Sequence, residues 1–204
     1  MYKLLSKTRI KKTLALVLIS LTFQGCFSDK IYNEIYIKND VVYGTKRFEL
    51  KHYIHPEDSR SAIKVLIQDI IKEIDSNDKV SYTAYDYLEL TSSSFKIDEK
   101  VFYIIDNVAY PMTIDHVEFD NVRKTIENKS DVLTADSTTV SVVTGYSEQN
   151  KKTVKFKYNI PVLMMEKIKE TGQLSIRYYS GPSMATFNTR QISLGKMIEM
   201  IDSK

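Results

Sequence analysis

The chain has 204 residues, 43% of them hydrophobic and 27% charged, enough for one ordinary domain with its own core or for two small ones. With six glycines and one cysteine it has no Gly-rich phosphate loop, no Gly-x-Ser-x-Gly elbow, no disulfide framework and no cysteine metal cluster. The formal charge of +3 misleads: Lys3, Lys7, Arg9, Lys11 and Lys12 all fall within residues 1–25, and without them 24 bases face 26 acids, so no basic nucleic-acid footprint is expected.

The N-terminus has three zones. The five bases come first, with no acid among them. An apolar run, Leu14–Leu21, follows, and Thr22-Phe23-Gln24-Gly25 leads into Cys26. The run is far shorter than the ~20 residues that cross a bilayer, so export is expected rather than a transmembrane helix. Gly25–Cys26 resembles the core of the bacterial lipobox, in which a small residue precedes the cysteine that receives lipid. Phe23 and Gln24 depart from its usual upstream residues. The resemblance implies a signal peptide over 1–25, lipidation at Cys26, a short tether over 26–30 and a place in the cell envelope. It implies nothing about the fold of 31–204, which is read as a single α+β domain.

Ile31–Lys38 alternates loosely, Asn39–Asp40 is a turn signal, and Val41–Tyr43 and Arg47–Ile54 continue in strand style. Pro56, Glu57 and Asp58 look like a helix entry. Ile63, Ile67, Ile70 and Ile74 then fall at helical spacing, so the segment up to Asp75 is expected to be helical, with a strand as the rival because Ile63, Val65 and Ile67 also alternate. Val80–Leu90 is expected as a strand, Val101–Asp106 as a central strand and, after a turn at Asp106–Asn107, Val108–Phe119 as an edge strand interrupted by Pro111.

Residues 120–137 are polar, of both charge signs, and read as a long loop. Thr138–Gly145 and Lys152–Ile160 are expected to form a hairpin across Ser147–Lys151. Pro161 opens a helix closed by Thr171–Gly172, and Gln173–Tyr179 and Met184–Arg190 flank a tight turn at Ser180–Ser183. Ser193 is expected to cap a last helix with Leu194, Met197, Ile198 and Ile201 on one face. The whole is a largely antiparallel sheet or sandwich of about eight to ten strands with two to three helices. Residues 48–82 and 156–178 both read strand–Pro–helix–strand, which leaves open two similar halves, about 31–120 and 138–204.

Three clusters carry chemistry. His52 and His55 lie on opposite faces of a strand and are expected as a solvated pair at its end, not as a metal site. His116, Glu118 and Asp120 share one strand face, a weak candidate set for zinc or manganese, although any half-exposed strand shows the same pattern. Tyr82, Tyr85 and Tyr87 lie on one strand and Tyr178 and Tyr179 on another. Tyr85 and Tyr87 share the polar face with Ser81 and Thr83 and are the candidate partner-binding residues. No cofactor and no catalytic residue are identified. The expected function is a membrane-tethered binding, assembly or adaptor module with an envelope protein as partner. The alternative is a small envelope hydrolase using His/carboxylate chemistry around 115–120.

Overall fold

The computed structural model describes residues 32–133 and 135–204. The expected signal segment, Cys26 and the tether lie outside these residues. Among the described residues, ten strands form two sheets in which every pairing is antiparallel. The larger contains β1 (Ile35–Asp40), β2 (Thr45–Ile54), β3 (Ile63–Ile74), β4 (Val80–Leu90), β7 (His116–Leu133) and β8 (Thr139–Ile160), in the order β1-β2-β3-β4-β8-β7. The smaller contains β5 (Lys100–Ile105), β6 (Val108–Thr113), β9 (Ser175–Ser180) and β10 (Ser183–Asn188), in the order β10-β9-β5-β6. The described residues also form the helices α1 (Val162–Thr171) and α2 (Gln191–Asp202). The protein is therefore β-rich, with a smaller helical share than the α+β expectation carried.

The segment expected as a first helix is strand β3. Its isoleucines fit helical spacing, but its β-branched residues suit a half-buried pleat, and β2 and β4 lie on either side to bond its backbone. A bulge between Ile63 and Val65 shifts the phase, so that Leu66, Gln68, Ile70 and Lys72 face the core. The first strand–Pro–helix–strand unit thus has no helix, and its likeness to 156–178 stops at the strands.

The core lies between the sheets and under the helices. Phe48, Leu50, Leu66, Ile70, Ala84 and Leu88 from the larger sheet meet Val101, Tyr103, Ile176, Tyr178 and Phe187 from the smaller one, and Met165, Ile168, Leu194 and Met197 from the helices. Lys72 is buried among them. Its ammonium donates to the carbonyls of Met200 (3.1 Å), Ile201 (2.7 Å) and Ser203 (2.7 Å), closing the negative end of α2, and lies 5.5 Å from the Phe48 ring centre. Burial lowers its pKa.

The turns follow their residues. Asp106 and Asn107 both take positive φ, which makes the two-residue hairpin between β5 and β6. Gly172 is left-handed and its N–H bonds to the Ile168 carbonyl, ending α1. Pro111 sits in β6, an edge strand. Strand β6 stops at Thr113, however, and His116 begins a separate strand in the other sheet. Ser193 does not cap α2: Arg190 holds that position, and the Ser193 hydroxyl bonds to Asn33 instead.

Of the long loop expected over 120–137, residues 120–133 are also strand. Strand β7 runs 18 residues and β8 runs 22, unbroken through Ser147–Lys151. No apolar alternation was needed there, because the two strands satisfy each other's backbone without a core beneath them.

Candidate functional site

Strand β8 pairs with β4 only from Lys152 to Ile160, where Leu90 is opposite Lys152. From Lys151 outward it pairs with β7 alone, to the last pair, Leu133 with Thr139. The result is a two-stranded arm about 40 Å long, at roughly 3.3 Å per residue. Asn33 bonds to Lys51 and the Tyr32 ring lies 5.4 Å from that of Tyr53. Since Ile54 pairs with Leu66 and Ile63 with Leu90, the first described residues and the root of the arm lie at the same end of the sheet.

The faces of the arm differ. One face continues the inner side of the sheet and carries Arg123, Glu127, Glu148, Lys129 and Asp131, with Tyr146 and Leu133 among them. The Lys129 ammonium lies 3.2 Å from the Glu127 carboxylate, and the Ser141 hydroxyl bonds to Asp131. The other face continues the outer side. Beyond Lys124 it has no charge: Ile126 and Ser147 are followed by Asn128 and Gly145, Ser130 and Val142, and Val132 and Val140. A bulge assembles it. Asn128 is opposite Gly145 but Lys129 is opposite Val143, so Thr144 is the extra residue, held by its hydroxyl to the Asn128 carbonyl at 3.1 Å. Without that one-residue shift, Val140 and Val142 would fall on the charged face. These valines and Ile126 are 38–47% exposed. Over residues 120–152 five acids (Asp120, Glu127, Asp131, Asp136, Glu148) balance five bases (Arg123, Lys124, Lys129, Lys151, Lys152).

Tyr85 and Tyr87 lie on the outer face of the larger sheet, as their alternation with Tyr82, Ala84 and Asp86 predicts, and Tyr85 is 41% exposed. They pair with Lys157 and Lys155 of β8 and with Asp69 and Ile67 of β3. This is the face that the uncharged side of the arm continues. Tyr82 and Tyr178 are buried and offer no surface. The even spacing of Val122, Ile126, Val132, Val140 and Val142 was the sequence signal for the arm face, diluted by polar residues between them.

His116 and Glu118 lie on the same outer face, their side chains 3.3 Å apart and both exposed, with Lys155 3.5 Å from Glu118. His116 foremost, then Lys155, holds the Glu118 pKa below the usual carboxylate range. Asp120 lies two residues on. Cavities of about 920, 430, 390 and 260 Å³ are present; His116 and Glu118 line none of them, and Asp120 borders the second, beside Phe95 and Phe119. Among the described residues no three His, Cys, Asp or Glu side chains converge as a metal set.

His52 is not solvated. It faces the core, fully buried, and burial lowers its pKa to about 4. Its Nδ1–H donates to Asn33 Oδ1 at 3.1 Å, which also accepts the Ser193 hydroxyl at 2.6 Å, so a neutral ring ties the first described residues to α2. His55 lies beyond β2, exposed, its ring edge-on to Tyr53.

The feature that sequence did not expose is a buried polar cluster between the sheets. Asp86 on β4 is fully enclosed. Its Oδ2 accepts the Tyr158 hydroxyl at 2.6 Å and the Tyr178 hydroxyl, and its Oδ1 accepts Gln68 Nε2 at 2.9 Å. The Tyr103 hydroxyl lies 3.2 Å from that of Tyr158 and 3.2 Å from Gln68 Nε2. Desolvation outweighs these donors and pushes the Asp86 pKa up to about 6. Burial, then the Asp86 charge, raises all three phenols.

The chain matches no protein-family model, no curated protein and no solved structure. Among the described residues, no helix is long and apolar enough to cross a membrane.

Proposed function

We propose that this protein is an envelope lipoprotein, anchored through lipid on Cys26, that acts as a non-enzymatic binding and assembly module. One observation carries the binding reading. The outer face with Tyr85 and Tyr87 runs on, across a charged band of Glu118, Lys155, Asp120, Lys151 and Lys124, into an arm face that has no charge beyond Lys124 and no layer packed over it. Two-stranded ribbons are marginal alone in water, and an exposed apolar sheet face gains by being covered. Tyrosine adds contact area at low entropic cost.

The tether reading fits the same end of the molecule. Six peptide steps separate Cys26 from Tyr32, a reach of about 20 Å. Lipid on Cys26 would hold the arm-bearing end beside the membrane, where the ~40 Å arm sweeps the adjacent space.

The test has two parts. Mass analysis of the mature N-terminus should find a lipidated cysteine at residue 26; any other N-terminus sinks the anchor. The chain carrying Tyr85→Ala and Tyr87→Ala should lose at least ten-fold of the protein partner that the wild-type chain captures from envelope extract. Unchanged capture removes that face from the binding reading.

A further inference from the structure

We propose that two copies of this chain join along the free backbone edge of β7, antiparallel about a two-fold axis at Thr125, so that their larger sheets run on into one. The contact is made by main chain, and it stands apart from the Tyr85–Tyr87 reading.

Strand β7 is the last strand of the larger sheet, and among the described residues no strand pairs with its far side. The Asn128 carbonyl points to β8, where it accepts the Thr144 hydroxyl. At the other end of the strand, the carbonyl of Lys157, opposite His116, points away from β4 and accepts the Asp115 N–H. Backbone direction alternates along a strand, so the even-numbered residues face β8. The odd-numbered ones, from Val117 to Leu133, turn N–H and C=O to the open side. The other edges offer less. Strands β1, β6 and β10 have six residues each. Pro111 in β6 has no N–H to give, and the Thr186 carbonyl of β10 is taken by the Glu57 N–H. A long unblocked edge is a template for another strand.

Length and charge select a second copy as that strand. Only an axis near residue 125 uses the edge from end to end. With the axis at Thr125, Val117 is opposite Leu133, Asn121 opposite Lys129 and Arg123 opposite Glu127, each pair occurring twice. The outward residues then exchange about eighteen hydrogen bonds. Arg123 and Glu127 form two ion pairs, and no like charges are opposed: Lys124 faces Ile126, Asp120 faces Ser130, and Glu118 faces Val132. Moving the axis by one residue fails both ways. At Lys124 that lysine faces itself, and at Ile126 Arg123 faces Lys129. Added strands bind through the main-chain ladder, so the contact does not need the broad face of a standard interface.

The sequence has one cysteine, Cys26, so an introduced thiol is a clean reporter. Thr125→Cys places a thiol opposite its own copy. Ser130→Cys places it about 33 Å along the strand from its counterpart. Membranes from cells expressing the full chain would be treated with a bis-thiol reagent of about 5 Å reach, the separation of opposed side chains. The Thr125→Cys chain should form a covalent dimer at least ten-fold more than the Ser130→Cys chain or the wild type, which reports any reaction at Cys26. Adding Glu127→Arg, which sets two cations opposite each other, should remove at least ten-fold of that dimer, and adding Arg123→Glu as well should restore it. Residues four apart on one strand lie about 13 Å apart, so only a contact between copies accounts for the restoration. All these positions are exposed, and unchanged thermal melts confirm that the fold is intact. Equal reaction at residues 125 and 130, no dimer from the Thr125→Cys chain, no restoration by the charge exchange, or an adduct of any mass other than two chains overturns self-pairing. The Tyr85/Tyr87 capture experiment reads a different face, so the two claims fail independently.

Discussion

Asp86→Asn is the sharpest probe of the interior. Burial pushes the Asp86 carboxyl up to about 6 in the fold, against 3.8 for an aspartate in water. Between those values the native state holds a proton that the unfolded chain has released. Stability from this group is therefore greatest below pH 4 and falls as pH rises to 6, then levels. At 1.36 kcal/mol per pKa unit the fall is about 3 kcal/mol. Asparagine is neutral and of the same shape. Its Oδ1 accepts the Tyr158 and Tyr178 hydroxyls, and its amide donates to the Gln68 carbonyl oxygen, which has no partner in the wild-type fold, once the Gln68 amide turns over. Urea denaturation at a series of pH values from 4 to 7.5 would measure both chains, and subtracting them cancels every other titrating group. The variant should gain roughly 2 kcal/mol on wild type between pH 4 and pH 7, most of the full fall. A flat difference, or one that falls with pH, would refute the claim that desolvation outweighs the three donors.

Tyr178→Phe removes one donor to the same carboxylate, so the midpoint of the wild-type pH slope should move above 6, read from the same denaturation series. Gly181→Ala should destabilise by about 2–4 kcal/mol in thermal melts. Position 181 has a φ of 56°, and an added Cβ would lie 2.7 Å from the Phe95 ring. Replacing residues 122–151 by an Asn-Gly turn should leave the melting temperature within a few degrees of wild type, because the arm puts no side chain into the core; a collapse of the melt would show that the body depends on it.

The elements legible in the sequence were those whose signals are local. Pro161, Gly172 and the spacing of Leu194, Met197 and Ile201 marked both helices, and the run Val80–Leu90 marked a strand and the outward face of Tyr85. Strand β3 was misread because isoleucines at 63, 67, 70 and 74 fall at helical spacing, whereas in the strand Ile67 faces outward and Ile70 the core, and only the neighbours on each side decide between the two. The arm was hidden because a ribbon without a core needs no alternating pattern, so its polar residues read as a loop. His52 looked like a solvated strand end, since nothing local reveals Ser193 folding back to its partner Asn33. Asp86 lies on the otherwise apolar face of β4, between Ala84 and Leu88. Its donors come from positions 68, 103, 158 and 178, and no window of sequence contains them together.

Strand β8 is also a lever with its fulcrum inside the protein. The same covalent strand forms one side of the arm and, at Tyr158, reaches the carboxylate between the sheets. A pull along the arm reaches the body as shear across the ladder from Lys152 to Ile160, where all the β4 bonds are loaded at once. A sideways push would instead peel that ladder one pair at a time from Leu90, next to the root. The arm is stiff toward tension and compliant toward bending, the mechanics of a tether under load.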